Sequence, residues 1–289
     1  MRIDDTLQFC LFAFSDSEAN PPTIGEIIPL WRSLDRFGKR KAKSVVFEWN
    51  SPPKSKNLER AIVLGQPCPW AESMNETTQV AIGIDAYEQG ESFAETLKQT
   101  DLSFGITKPG YWRGIQTPGA LSLVVAEPLL RSLAIEAVNE LIEVHFAFAS
   151  EKHAQYGLID VDQASRILAG IGFSSASVDE LPLDRQMMHA QWIRNNFPKQ
   201  KAMGVFWGNY FGGQLLDKLG GQESIQEFVR QKFADTENKP ALLCNQIGPA
   251  VFVRLSRSPL DWYNSEQERF CIGRNAIQLH GFLLSHNVL

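Results

Sequence analysis

Two apolar, strand-like runs, Leu102–Ile106 and Leu121–Val125, are separated only by turn signals, Lys108-Pro109-Gly110 and Thr117-Pro118-Gly119. A connection without a helix does not carry the chain back across a sheet, so strands joined this way pair antiparallel. Further short apolar runs at Leu7–Phe14, Ser44–Trp49, Val80–Ile84, Met203–Trp207 and Ala250–Leu255 read as strands. Helical spacing appears between them. Ile24, Ile27, Ile28, Trp31 and Leu34 share one face, and a short polar helix is expected from Ser92 to Thr100. After Pro128 the stripe Leu130, Leu133, Ala134, Ala137, Val138, Leu141 and Ile142 is the clearest of all, with Arg131, Glu136, Asn139, Glu140 and Glu143 opposite. Phe211 to Leu219 and Ile225 to Phe233 give two more helices. Ser265-x-x-Glu268 has the spacing of a capping box. Beyond Gly273 the pattern fits helix and strand equally, and 174–201 is the least regular stretch. Strands and helices mix without a strict βαβ beat. The expectation is an α+β fold with a largely antiparallel sheet flanked by helices, in one domain over 1–289. A division into two lobes would fall at 108–119.

A chain that is 44% hydrophobic, with 18 Phe among its 289 residues, can bury a core without covalent staples. Its formal net charge of −5 disfavours nucleic acid as a partner, because phosphate neutralisation needs a surplus of Lys and Arg on one face. Cys10, Cys68, Cys244 and Cys271 are far apart among apolar neighbours, so reduced, buried thiols are expected. The start, Met1-Arg2-Ile3-Asp4-Asp5, has neither the basic region nor the small-residue cleavage site of a secretory signal. No apolar run approaches the roughly 20 residues that cross a bilayer. A cytoplasmic protein that does not engage a membrane is the expectation.

Motifs for chemistry are missing. No P-loop, dinucleotide-binding glycine pattern, nucleophile elbow or zinc-protease helix occurs. Among the five histidines, His145 follows the long amphipathic stripe and is expected near a helix end, and His153 is expected in a loop. His189, His280 and His286 complete the set, and no two are spaced for one metal on a helix face. Asp160-x-Asp162 lacks the glycine turn and distal Glu of a calcium loop. The reading is therefore of a protein with no catalytic residues, no cofactor and no metal.

Two features point to a protein partner. Asp85, Glu88, Glu91 and Glu95 form an acidic stretch that could meet Lys and Arg of a partner, although a solvated face is the simpler account. Tyr111-Trp112-Arg113 lies between the two Pro-Gly turns in what reads as a loop, and these residue types dominate interface hot spots. Trp112 plugging a lobe junction accounts for it equally well.

Met203-Gly-Val-Phe-Trp-Gly-Asn-Tyr-Phe-Gly-Gly-Gln-Leu-Leu-Asp-Lys-Leu-Gly-Gly221 is the most distinctive segment. It reads as a strand ending at Trp207, a tight turn at Gly208-Asn209, and a helix that Asn209 caps and two glycines break. This segment, with the helix after Pro128, Tyr156-Gly157 and the strand Ala250–Leu255, resembles the bacterial type VI secretion immunity family. Length and layout are similar to members paired with a restriction-endonuclease-like toxin. The resemblance covers the second half of the chain, and the first half only in the order of its elements. It implies a protein that binds a cognate toxin and blocks it, and a cytoplasmic location makes a nuclease the expected toxin. Two other readings stand beside it. One is an adaptor with a different protein partner. The other is an enzyme whose scattered carboxylates or histidines meet in a pocket.

Overall fold

The computed structural model describes residues 8–15, 24–38, 44–49, 58–63, 81–85, 102–107, 110–112, 115–117, 119–161, 201–202, 204–233 and 242–289. In chain order the elements are β1 (Gln8–Ser15), α1 (Ile24–Asp35), β2 (Ser44–Trp49), β3 (Leu58–Val63), β4 (Ala81–Asp85) and β5 (Leu102–Thr107). There follow β6 (Gly110–Trp112), β7 (Ile115–Thr117), β8 (Gly119–Ala126), α2 (Glu127–Ser132), α3 (Ile135–Glu151) and β9 (Ala154–Val161). The last group is β10 (Gly208–Phe211), α4 (Gly213–Lys218), α5 (Gly221–Phe233), β11 (Leu243–Ile247), β12 (Ala250–Arg254), α6 (Asp261–Asn264) and α7 (Glu266–Ser285). The fold is α+β.

Among the described residues ten strands make one sheet in the order β11-β12-β10-β9-β1-β8-β5-β4-β2-β3, and each neighbouring pair is antiparallel. The two strands that flank 108–119, β5 and β8, pair directly, with Leu102 opposite Val125 and Thr107 opposite Ala120. The first described strand lies inside the sheet. β1 pairs with β8 from Gln8↔Ala126 to Ser15↔Gly119 and with β9 from Phe9↔Val161. β6 and β7 form a separate hairpin ribbon.

Alternation along β8 places Leu121, Leu123 and Val125 on a buried face. Helix α1 buries Leu30, Trp31 and Leu34, and it packs against α3. Arg36 near the end of α1 pairs with Glu140 near the start of α3, while Lys152 after α3 pairs with Glu26 at the start of α1. The two helices therefore run antiparallel. On the second half of the sheet, Phe146 of α3 stacks on Tyr210 of β10 at 5.0 Å and packs on Phe252 of β12 at 5.2 Å. The next residues along β12, Val251 and Val253, point the other way and are also fully buried, so this strand is covered on both faces. Phe228 of α5 and Phe282 of α7 stack at 4.4 Å.

Three local expectations are revised. The strand expected at Met203–Trp207 begins at Gly208 instead, so Gly208 and Asn209 are strand residues and not a turn. Asn209 does not cap α4. Its side chain folds back, donating to the Phe206 carbonyl at 2.8 Å and accepting from the Phe206 amide at 3.0 Å. His145 lies inside α3, fully buried, rather than at a helix end.

Other elements agree with the pattern. Ser265 caps α7 and accepts from the Glu268 amide at 3.1 Å, and the helix runs unbroken through Gly273 to Ser285. His153 sits in the turn after α3 with φ +56. Strands β3, β6, β7, β9 and β11 are not marked as strands by the sequence pattern. The polar helix at 92–100 lies outside the described residues, as does most of 174–201.

Candidate partner-binding site

The long amphipathic helix α3 carries Asn139, Ile142, Glu143 and Phe146 at positions i, i+3, i+4 and i+7, which share one face. Phe146 anchors that face over Phe252. One to two turns earlier, Asn139 and Glu143 overhang the end of β12, where the chain places Arg254. β11 supplies the third wall, since its Leu243 pairs with Arg254 and its Asn245 with Phe252. Together they enclose a recess of about 130 Å³, with Phe252 in its floor and Asn139, Glu143, Asn245, Gln246 and Arg254 around it.

Arg254 is only 9% exposed. One terminal nitrogen, Nη1, donates to Asn139 Oδ1, and Nη2 donates to Asn245 Oδ1 over 3.4 Å. Nε is buried without a partner. No carboxylate pairs with this guanidinium among the described residues. Burial, followed by the Arg257 charge, pulls Arg254 below the ordinary guanidinium range. Arginine does not relieve that cost by losing its proton under ordinary conditions. A guanidinium has five N–H donors, and the amide oxygens take two of them. The recess therefore holds a buried guanidinium with spare donors, with the Glu143 carboxylate in the same wall, and those donors can take an acceptor such as a carboxylate. The turn at Gly248 (φ +56) shapes the rim, where Gln246 Nε2 donates to the Gly248 carbonyl.

Of the residues expected to meet a partner, Asp85, Tyr111 and Trp112 lie among the described residues, and none of these three lines the recess. Asp85 is the last residue of β4, opposite Ser103. Tyr111 and Trp112 lie in strand β6, opposite Gln116 and Ile115, and not in a loop. Glu88, Glu91, Glu95 and Arg113 lie outside the described residues, as do Asp162, His189 and Cys68. Asp160 sits in β9, opposite Cys10. Sequence reasoning missed Asn139, Asn245, Gln246 and Arg254. A lone Arg in the otherwise apolar run Ala250–Leu255 was the one signal that pointed to them.

His145, its pKa lowered to about 3 by burial, is enclosed in the core and does not line the recess. Cys244 of β11 is half-buried, and desolvation raises its thiol to about 11, which disfavours the reactive thiolate. Among the described residues no three His, Cys, Asp or Glu side chains are grouped to hold a metal, and no helix is long and apolar enough to cross a membrane. The chain matches no protein-family model, no curated protein sequence and no solved structure.

Proposed function

We propose that this protein is a cytoplasmic immunity protein that binds a cognate type VI secretion toxin, a nuclease, and neutralises it by covering its active site. The observation that carries the reading is the Arg254 recess, a concave socket holding a buried guanidinium that no carboxylate of the described chain satisfies. A partner's acidic side chain would supply the missing anion in a desolvated setting, where a charge-assisted hydrogen bond is strongest. Metal-dependent nucleases hold their ions with carboxylates, so such a socket complements acidic groups at or beside their active sites. The nature of the partner comes from the likeness of the Trp207-Gly208-Asn209 segment to immunity proteins, and the net charge of −5 favours approach to a basic protein.

Co-expression with the product of the neighbouring gene, scored for complex formation and for rescue of growth, tests this. A stable complex with rescue is expected. Arg254→Gln should weaken the complex tenfold or more. Gln246→Glu adds a second carboxylate beside Glu143 at the exposed rim, repels an incoming acidic group, and should weaken the complex comparably while leaving the fold intact. A complex without rescue would favour the adaptor reading. Neither complex nor rescue from the wild-type chain would sink the immunity reading, and a complex indifferent to both substitutions would remove the recess from the interface.

A further inference from the structure

A guanidinium has only donors and no acceptor, so every group that bonds to it must turn an oxygen toward it. At Arg254 two elements supply those oxygens. Asn139 Oδ1 on α3 accepts from Nη1, and Asn245 Oδ1 on β11 accepts from Nη2 at 3.4 Å. Both acceptors are neutral. A carboxylate is at hand, because Glu143 lies one helical turn beyond Asn139 and lines the same recess. Yet no ion pair joins Glu143, or any other described carboxylate, to Arg254. Buried charges are ordinarily paired, whereas this one is served by two carboxamides. With its oxygen committed to the guanidinium, each asparagine keeps an Nδ2 group that no other described residue accepts from. Gln246 differs, since its Nε2 is held by the Gly248 carbonyl.

We infer that Asn139 and Asn245 are positioning residues that hold Arg254 in the recess without cancelling its charge, and so keep the site open to a carboxylate from outside the chain. An aspartate at either place would hold the guanidinium as well and would also neutralise it, to the gain of the fold. The chain forgoes that stability, as functional sites commonly do. What remains for an occupant is the spare N–H groups of Arg254 and the two Nδ2 groups, and an ionised carboxylate is an acceptor-only ligand that matches them. At about 130 Å³ the recess is smaller than the roughly 300–1,000 Å³ of drug-sized ligand sites. It suits a single carboxylate group, such as one acidic side chain. For its biological occupant this inference rests on the reading of the recess as the toxin contact. The two asparagines are not equivalent in a test. An acid at 139 would be repelled by Glu136 and Glu143, three and four residues away on α3. Asn245 is exposed at the sheet margin with no acid in its strand, so Asn245→Asp is the cleaner change.

Thermal melting of the full chain in sodium acetate, with sodium chloride at equal ionic strength as the control, tests this without a toxin. Acetate stands in for the incoming carboxylate, at about 1 to 100 mM to span millimolar affinity. It should raise the melting temperature of the wild type above the chloride control by mass action. Asn245→Asp should raise the melting temperature without acetate by a few degrees, Asn139→Asp by less, and each should abolish the acetate response. Where the toxin is in hand, Asn245→Asp should also weaken the complex at least tenfold. Stability and binding then move in opposite directions, which a merely structural asparagine would not produce. Glu143→Gln should leave the melting temperature near that of the wild type and keep the acetate response. A wild type indifferent to acetate overturns the proposal, as does an Asn245→Asp chain that is less stable or still responds. Should Glu143→Gln lower the melting temperature and create a response that the wild type lacks, Glu143 already fills the site and the proposal fails. A chain that responds to acetate as expected but binds no toxin would refute the immunity reading and leave this inference standing.

Discussion

At Gly208 an added Cβ would lie 2.8 Å from Phe252 Cζ and 3.0 Å from Ile159 Cβ. Phe252 is held in turn under Phe146, and Ile159 is fixed by its strand, so neither has room to retreat. Gly208→Ala should destabilise the protein by about 1–3 kcal/mol, the usual cost of overpacking a closed core. A shifted urea midpoint with an unchanged m-value would register it, and an unshifted midpoint would show that the joint is loose. The glycine is easy to see in the sequence, but its reason is not. A turn was expected, whereas the residue is a strand position where two neighbouring side chains close over the backbone. Asn209 gives the same lesson. Its amide serves the Phe206 backbone behind it, and only the path of the chain reveals in which direction a short amide side chain turns.

Among the elements, α7 shows both what local chemistry specifies and where it stops. Ser265 Oγ accepts from the Glu268 amide, as the Ser-x-x-Glu spacing predicts, and the hydroxyl donates to Glu268 Oε2 at 3.2 Å. Ser265→Ala should lower stability by about 1 kcal/mol, measured by denaturant titration. A change below a few tenths would mean that α7 is held by its packing alone. The later half of the helix was illegible for a physical reason. Gly273, Gly281 and the exposed Phe270, Ile277 and Leu284 erase the one-sided period by which a surface helix is recognised. Strand β11 was hidden differently, because Asn245 and Gln246 are exposed at the sheet margin and give no apolar run.

At the scale of the whole molecule, His145 contributes a dependence of stability on acid, because the fold buries it. His145 is fully enclosed, and both ring nitrogens lack a partner. Desolvation lowers its pKa from 6.5 to about 3. The unfolded chain therefore binds a proton between these values that the folded chain does not. Stability is full above about pH 6.5 and is lost as pH falls toward 3. Between pH 7 and pH 5 the loss from this group should be about 2 kcal/mol. His145→Leu should flatten that limb while keeping the fold, as denaturation midpoints at the two pH values would show. An equally steep limb in the variant would place the acid sensitivity elsewhere.

The sequence by itself determined the class of fold and most of its elements, because turns without helices enforce antiparallel pairing and apolar periodicity marks the faces that must be buried. Tertiary structure alone decided that the first strand lies between β8 and β9, since its pairing joins residues more than a hundred positions apart. It also decided that Asn139, Asn245 and Arg254 meet at one recess. No local pattern encodes such a meeting, because each residue is placed by the packing of a different element.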